Sequence, residues 1–233
     1  MKSRRDFLAT SLGAMTAICQ MGSTAIGAEV SGSSSGKSPK YQPKPLPFTA
    51  SKLDGISEKL IVSHHDNNYA GAVKRLNSIQ EKIASLPMDA APYLMGSLKR
   101  EELVAMNSMI LHEIYFDNLG GNGIPGSKIK SLLARDFGSV EAWERQFKLT
   151  GQSLSGGSGW VLLAYSPYDK CLHNVWMADH TTNLAGGLPV LAMDMYEHAY
   201  QMDHGANAKA YIDNFFKNIN WEIVESRAAA ALG

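Results

Sequence analysis

The chain is poor in cysteine. Its 233 residues contain only Cys19 and Cys171, and Cys19 lies in a segment that reads as a removable leader. A single cysteine in the remainder excludes an intrachain disulfide framework and a cysteine-rich zinc site. Net charge is missing as well: 22 Lys and Arg face 22 Asp and Glu. No basic field therefore points to nucleic acid, and no acidic excess marks a solvating tail. Nor does any later apolar run suffice to span a bilayer. What is present is an ordinary globular composition, 45% hydrophobic, enough for one domain or two small ones with a real core.

Ser3-Arg4-Arg5-Asp6-Phe7-Leu8 is a twin-arginine pattern, followed by a weakly apolar run through Ala17 and Ile18 and by small residues up to Ala28. Residues 1–28 thus read as a twin-arginine signal peptide, with cleavage after Gly27 or Ala28. A basic N-terminus without signal function is the alternative. Removing Lys2, Arg4, Arg5 and Asp6 leaves a net charge of −2. The expected destination is periplasmic or extracellular. No stable membrane insertion follows signal cleavage, because the apolar run is too short and too polar. Residues 29–45, rich in Ser, Gly, Pro and Lys, read as a disordered tether, and the fold begins near Leu46.

Periodicity supplies the elements. Ser57 to Leu86 lacks proline and carries Val73, Leu76, Ile79 and Ile83 at helical spacing, which predicts a long amphipathic helix. A second helix is predicted from about Lys99 to Asn118, ended by the Gly120–Gly126 stretch. These make an N-terminal helical hairpin over residues 46–122. Residues 123–233 read as an α+β domain. Short helices are predicted at Ser127–Asp136 and Val140–Leu154, with Ser139 as an N-cap. A β-hairpin follows over residues 159–165 and 172–177, then a third short strand at 188–192 and closing helices at 206–217 and 220–231. The fold class is α+β, with a small three-stranded antiparallel sheet flanked by helices.

Asp194-Met195-Tyr196-Glu197-His198 places a carboxylate and an imidazole four apart, on one face if the segment is helical, as a pair of metal ligands requires. Alone, this spacing also suits a surface Asp and an ordinary His. His64 and His112 lie on the two predicted arms of the hairpin, where an antiparallel pair can bring them together. Other motifs fail. Phe116 stands where a zincin helix starting at His112 needs its second His, and Gly120–Gly123 precedes no phosphate-binding Lys-Ser/Thr.

Taken in order, the His64-His65 pair, His112 beside an aromatic pair, Asp136-Phe137-Gly138-Ser139, Gly157-Ser158-Gly159-Trp160, Asp194-x-Tyr-Glu-His-Ala-Tyr and Asn220-Trp221 make residues 46–230 resemble the iron/manganese superoxide dismutase family. The resemblance implies one Fe or Mn ion per subunit, held by His64, His112, Asp194 and His198. It further implies redox cycling that converts superoxide, the small-molecule substrate, to oxygen and hydrogen peroxide. By the same resemblance His180 enters the proton network, Trp160 walls the cavity, and Glu197 reaches across a homodimer interface toward a ligand His of the partner.

Departures from the family pattern cluster at the entrance. Asn68 replaces a second His and Ala72 replaces a gateway Tyr, both on the His64 face. Tyr69 is adjacent to Asn68 but about 100° further round, so it cannot take the place of a Tyr at position 72 without a local shift. Gln201 replaces the interface Tyr that pairs with that His, which makes Asn68 and Gln201 a matched pair across subunits. Tyr196 stands in place of Trp, Asn207 in place of an Arg, and Ser108 is too short for the work of the family's Gln. The leading expectation is an exported superoxide dismutase. The alternatives are a dismutase-fold metal-binding protein with lost or altered activity, because of Ala72, and a purely structural exported module.

Overall fold

The computed structural model describes residues 40–233. The expected leader and most of the expected tether lie outside the described residues. From Tyr41 the chain is held, which corrects the end of the tether: Tyr41 N–H donates to Asn77 Oδ1, and Asn77 Nδ2 donates back to the Tyr41 carbonyl, both at 2.9 Å.

Ser57 caps the first helix, its Oγ accepting from Leu60 N at 3.1 Å, a cap worth about 1 kcal/mol. The helix is not uniform. α1 (Glu58–Ser63) passes into a π-helical segment (His64–Tyr69) and then α2 (Ala70–Ala84), whereas the sequence predicts one uninterrupted α-helix. α3 (Pro92–Asp117) starts at Pro92, earlier than the predicted Lys99. Pro at the first helical position needs no N–H partner, and Gly96, which weakens the sequence pattern, has open space around it. α2 and α3 pack as the predicted hairpin.

α4 (Ser127–Phe137) ends at Gly138, whose φ of 88° suits glycine. α5 (Val140–Gln152) begins with Ser139 Oγ accepting from Ala142 N at 3.1 Å. β1 (Trp160–Ser166), β2 (Cys171–Met177) and β3 (Leu188–Asp194) form an antiparallel sheet in the order β2-β1-β3. Every residue of the central strand β1 is buried, which explains its continuous apolar run. α6 (Gln201–His204), α7 (Ala208–Lys217) and α8 (Trp221–Leu232) close the chain. α3 packs on β3, and one hydrophobic core runs from Leu60 and Leu76 through β1 to Phe215 and Val224. Hairpin and sheet are therefore joined where their chemistry-bearing residues lie.

Candidate metal centre

The helices and the sheet bring four side chains to one point. His64 comes from the π-helical segment, His112 from α3, Asp194 from the last position of β3, and His198 from a 3-10 turn at Glu197–Ala199. The helical face expected for Asp194 and His198 is absent. Asp194 is extended, and its Oδ1 accepts from Tyr196 N at 2.8 Å, so a side-chain turn rather than helical pitch folds His198 back. The Tyr211 hydroxyl donates to the Asp194 carbonyl at 2.7 Å and pins the strand end.

The three imidazoles present Nε2 to one carboxylate oxygen. His64 and His198 Nε2 each lie 3.1 Å from Asp194 Oδ2, and His112 Nε2 lies at 3.6 Å. Across the group, the ligand atoms fall within 4.8 Å of one another. The side chains of His64, His112 and Asp194 are buried, while that of His198 is 26% exposed. On the single chain His198 is thus the most exposed of the four side chains.

Burial holds the His64 imidazole below its ordinary value despite the pull of Asp194. Burial, then the neighbouring His64, push His112 down to about 3. Burial alone would raise the Asp194 carboxyl, but His198 and His64 outweigh it and hold it well below the usual carboxylate range. At His198 burial pulls down and Asp194 more than offsets it, so that imidazole is raised. His64 and His112 therefore offer a cation neutral imidazole lone pairs beside the ionised Asp194 carboxylate, while His198 would have to release its proton on binding one. His112 Nε2 is buried with no hydrogen-bond partner, which is costly for a fold unless something else occupies its lone pair. A cation among the four donors meets that need, and a donor set of three imidazoles and one carboxylate suits a first-row transition ion.

Surrounding groups set the orientation of this cage. His112 Nδ1–H donates to the Ser108 carbonyl at 2.7 Å, which leaves Nε2 unprotonated. Trp160, in register with both Asp194 and Met177, donates its indole N–H to His180 Nδ1 at 2.9 Å. An indole nitrogen only donates, so neutral His180 carries its hydrogen on Nε2. Its ring lies 6.3 Å from that of His112, and burial lowers its pKa. Gly159 makes this corner possible: its φ is 139°, and a Cβ there would stand 2.2 Å from the Met177 carbonyl.

One contributor, Asn107, has no signal in the sequence. Asn107 Nδ2 donates to the His180 carbonyl at 2.6 Å and ties that loop to α3. Tyr196 stacks between His180 (4.8 Å, 11°) and His198 (5.4 Å, 18°). The π-helical turn provides the local shift that Tyr69 needs to approach α3, yet its hydroxyl is committed to Glu113 and Lys44. Ala72 is buried. Asn207 caps α7, its Oδ1 accepting from Ala210 N at 3.2 Å. On the single chain Glu197 and Gln201 are exposed and Asn68 is half-buried. His173 pairs with Asp169 at 2.8 Å, apart from the cage.

A family model described as iron/manganese superoxide dismutases, C-terminal domain, matches residues 125–227. The chain is 56% identical over 193 residues to a superoxide dismutase [Fe] of Cupriavidus metallidurans, covering 82% of this chain and 98% of the relative. It is 33% identical over 204 residues to a superoxide dismutase [Fe] of Aquifex aeolicus, with 83% and 93% covered. Against a superoxide dismutase [Mn] of Haloarcula marismortui it is 33% identical over 187 residues, with 76% and 88% covered. With identity of this extent over nearly whole relatives of both metal types, the chain belongs to the iron/manganese superoxide dismutase family.

Proposed function

We propose that this chain is an exported superoxide dismutase that holds one Fe or Mn ion per subunit and works as a homodimer. The observation that carries the reading is the convergence of three imidazoles and the Asp194 carboxylate on one largely buried point, in a chain of this family. His64, His112, Asp194 and His198 would hold the ion. When bound, it supplies one-electron redox chemistry, by which one superoxide is oxidised to oxygen and a second is reduced and takes up two protons as hydrogen peroxide.

The remaining work falls to the chain. The Ser108 carbonyl keeps the His112 proton on Nδ1, and the Tyr196 amide and Tyr211 hydroxyl hold Asp194 at the strand end. His180 holds a proton at Nε2 beside the cage and is the candidate donor to the reduced substrate, with Trp160 fixing its tautomer. Trp160, fully buried, also excludes water from one wall.

The Arg4-Arg5 pattern supports export by the twin-arginine route to a periplasmic or extracellular destination, with residues 1–28 as the signal peptide. Glu197, exposed beside the partly exposed His198, supports a partner subunit on that side, with Asn68 and Gln201 in the same interface. The test is metal analysis of the purified protein together with a superoxide-removal assay and a mass measurement in solution. One Fe or Mn per chain, rapid removal of superoxide and a dimeric mass are expected. Metal without activity selects a dismutase fold with altered chemistry, and neither metal nor activity selects a structural module.

A further inference from the structure

The two helices that carry His64 and His112 are fastened together beside the cage by side chains that the proposed chemistry does not use. Tyr69, 1% exposed, donates its hydroxyl to Glu113 Oε1 and accepts from the Lys44 N–H, both at 2.9 Å. The Lys44 ammonium pairs with the other Glu113 oxygen, and His65 Nε2 donates to the Lys44 carbonyl at 2.7 Å. Lys44 is thus engaged through its N–H, its C=O and its side chain. The attachment points all adjoin ligand positions. Glu113 follows His112, His65 follows His64, and Tyr69 completes the π-helical segment that begins at His64. Phe116 fills the space between, its ring 5.2 Å from His64, 6.0 Å from Tyr69 and 6.2 Å from His112.

We propose that Lys44, Tyr69 and Glu113 form a clamp that sets the placement of His64 against His112 and so governs how firmly the cage retains its metal ion. Tyr69 is its central positioning residue. The proposal rests on the metal-binding reading above.

A π-helical turn is rare and persists where surrounding structure holds it. Here the turn places Tyr69 against α3, and the Glu113 and Lys44 bonds hold it there. The Lys44 side chain is 69% exposed, so its ion pair contributes little by itself. The greater part comes from the buried Tyr69 hydroxyl, which has both a donor and an acceptor partner and would be orphaned without them. Pro43 and Pro45 flank Lys44 and preset an extended backbone, which reduces the entropy lost when the segment docks. The clamp's hydrogen bonds join neighbours of two ligands, and the Tyr69 ring lies 6.4 Å from that of His112, so its effect should appear in metal retention and ligand geometry.

The experiment compares metal-loaded wild type with Tyr69→Phe, Glu113→Gln and Lys44→Met. It measures the first-order loss of metal to excess chelator, the ferric electron paramagnetic resonance spectrum and the denaturation midpoint of the metal-free protein. Tyr69→Phe should release metal about tenfold faster than wild type, with an altered ferric spectrum, at the lower end of what outer partners of metal ligands contribute. Glu113→Gln and Lys44→Met should move the release rate in the same direction by less. A Tyr69→Phe protein that releases metal at the wild-type rate with an unchanged spectrum overturns the clamp, whatever its midpoint, because a merely structural tie would move only the midpoint. If Tyr69→Phe does not fold, Lys44→Met, altered at an exposed side chain, decides on the same two readouts. Wild type without stoichiometric metal overturns the metal-binding reading and the clamp with it. Loaded wild type with unchanged variants overturns the clamp alone.

Discussion

Trp160→Phe isolates one hydrogen atom of the site. The substitution keeps an aromatic ring at a fully buried position but removes the N–H that donates to His180 Nδ1 at 2.9 Å. One such bond contributes about 1 kcal/mol net, and an acceptor left buried without a donor costs about 1–3 kcal/mol. Trading indole for phenyl opens space beside His112, whose ring lies 5.2 Å away, at roughly 1–2 kcal/mol more. Since the orphaned acceptor already includes the lost bond, the expected loss of stability is about 2–5 kcal/mol, read from the denaturant midpoint of the metal-free protein. The second consequence is chemical. With Trp160 present, neutral His180 is confined to the Nε2–H tautomer; without it, ~1.4 kcal/mol less bias allows about ten times more of the Nδ1–H form. Imidazole nitrogen shifts in the metal-free variant should show both tautomers, and dismutation by the loaded variant should slow by up to about tenfold. A variant that keeps Nε2–H alone and turns over at the wild-type rate, with only its midpoint lowered, would refute this account of His180.

His112→Ala and Asp194→Ala should each abolish stoichiometric metal content. Full Fe or Mn in both purified variants would sink the ligand assignment. Ala72→Tyr supplies the phenol that the entrance lacks and should raise the dismutation rate, at an overpacking cost of about 1–3 kcal/mol for a position only 8% exposed. An unchanged rate would mean that His180 or Tyr69 already compensates. Asp136→Asn tests a joint outside the site. Asp136 accepts from Arg135 Nε at 2.5 Å and from Leu172 N at 2.8 Å. Burial raises its carboxyl, but these partners together hold it below its ordinary value. A depressed folded value gives stability that is full above the unfolded pKa of about 3.9 and is lost as pH falls through the folded one. The variant should be about 1–2 kcal/mol less stable at pH 7 and converge with wild type as pH falls through that range. A difference independent of pH would exclude the charge as its cause.

Much of the fold was legible because its signals are local. Ser57 and Ser139 announce helix starts, the apolar run of β1 announces a buried strand, and the turns through residues 120–126 and 166–170 separate elements in a single chain of letters. Pro92 and Gly96 obscured the first turns of α3, since each weakens a helical pattern when read without its place in the helix.

The sequence by itself determined which side chains have the right chemistry: His64, His112, Asp194 and His198, in an order similar to one known family. It did not determine how they meet. Asp194 and His198 share a strand end and a tight turn instead of a helix face, because hydrogen bonds from the Tyr196 amide and the Tyr211 hydroxyl outweigh local helical spacing there. The π-helical segment, the Lys44–Tyr69–Glu113 tie and the Trp160–His180 bond likewise depend on partners 20 to 69 residues apart in sequence. A periodic pattern registers the pitch of one element and the face it buries. Which donor finds which acceptor across elements is decided only when the core closes and every buried polar group must be satisfied at once.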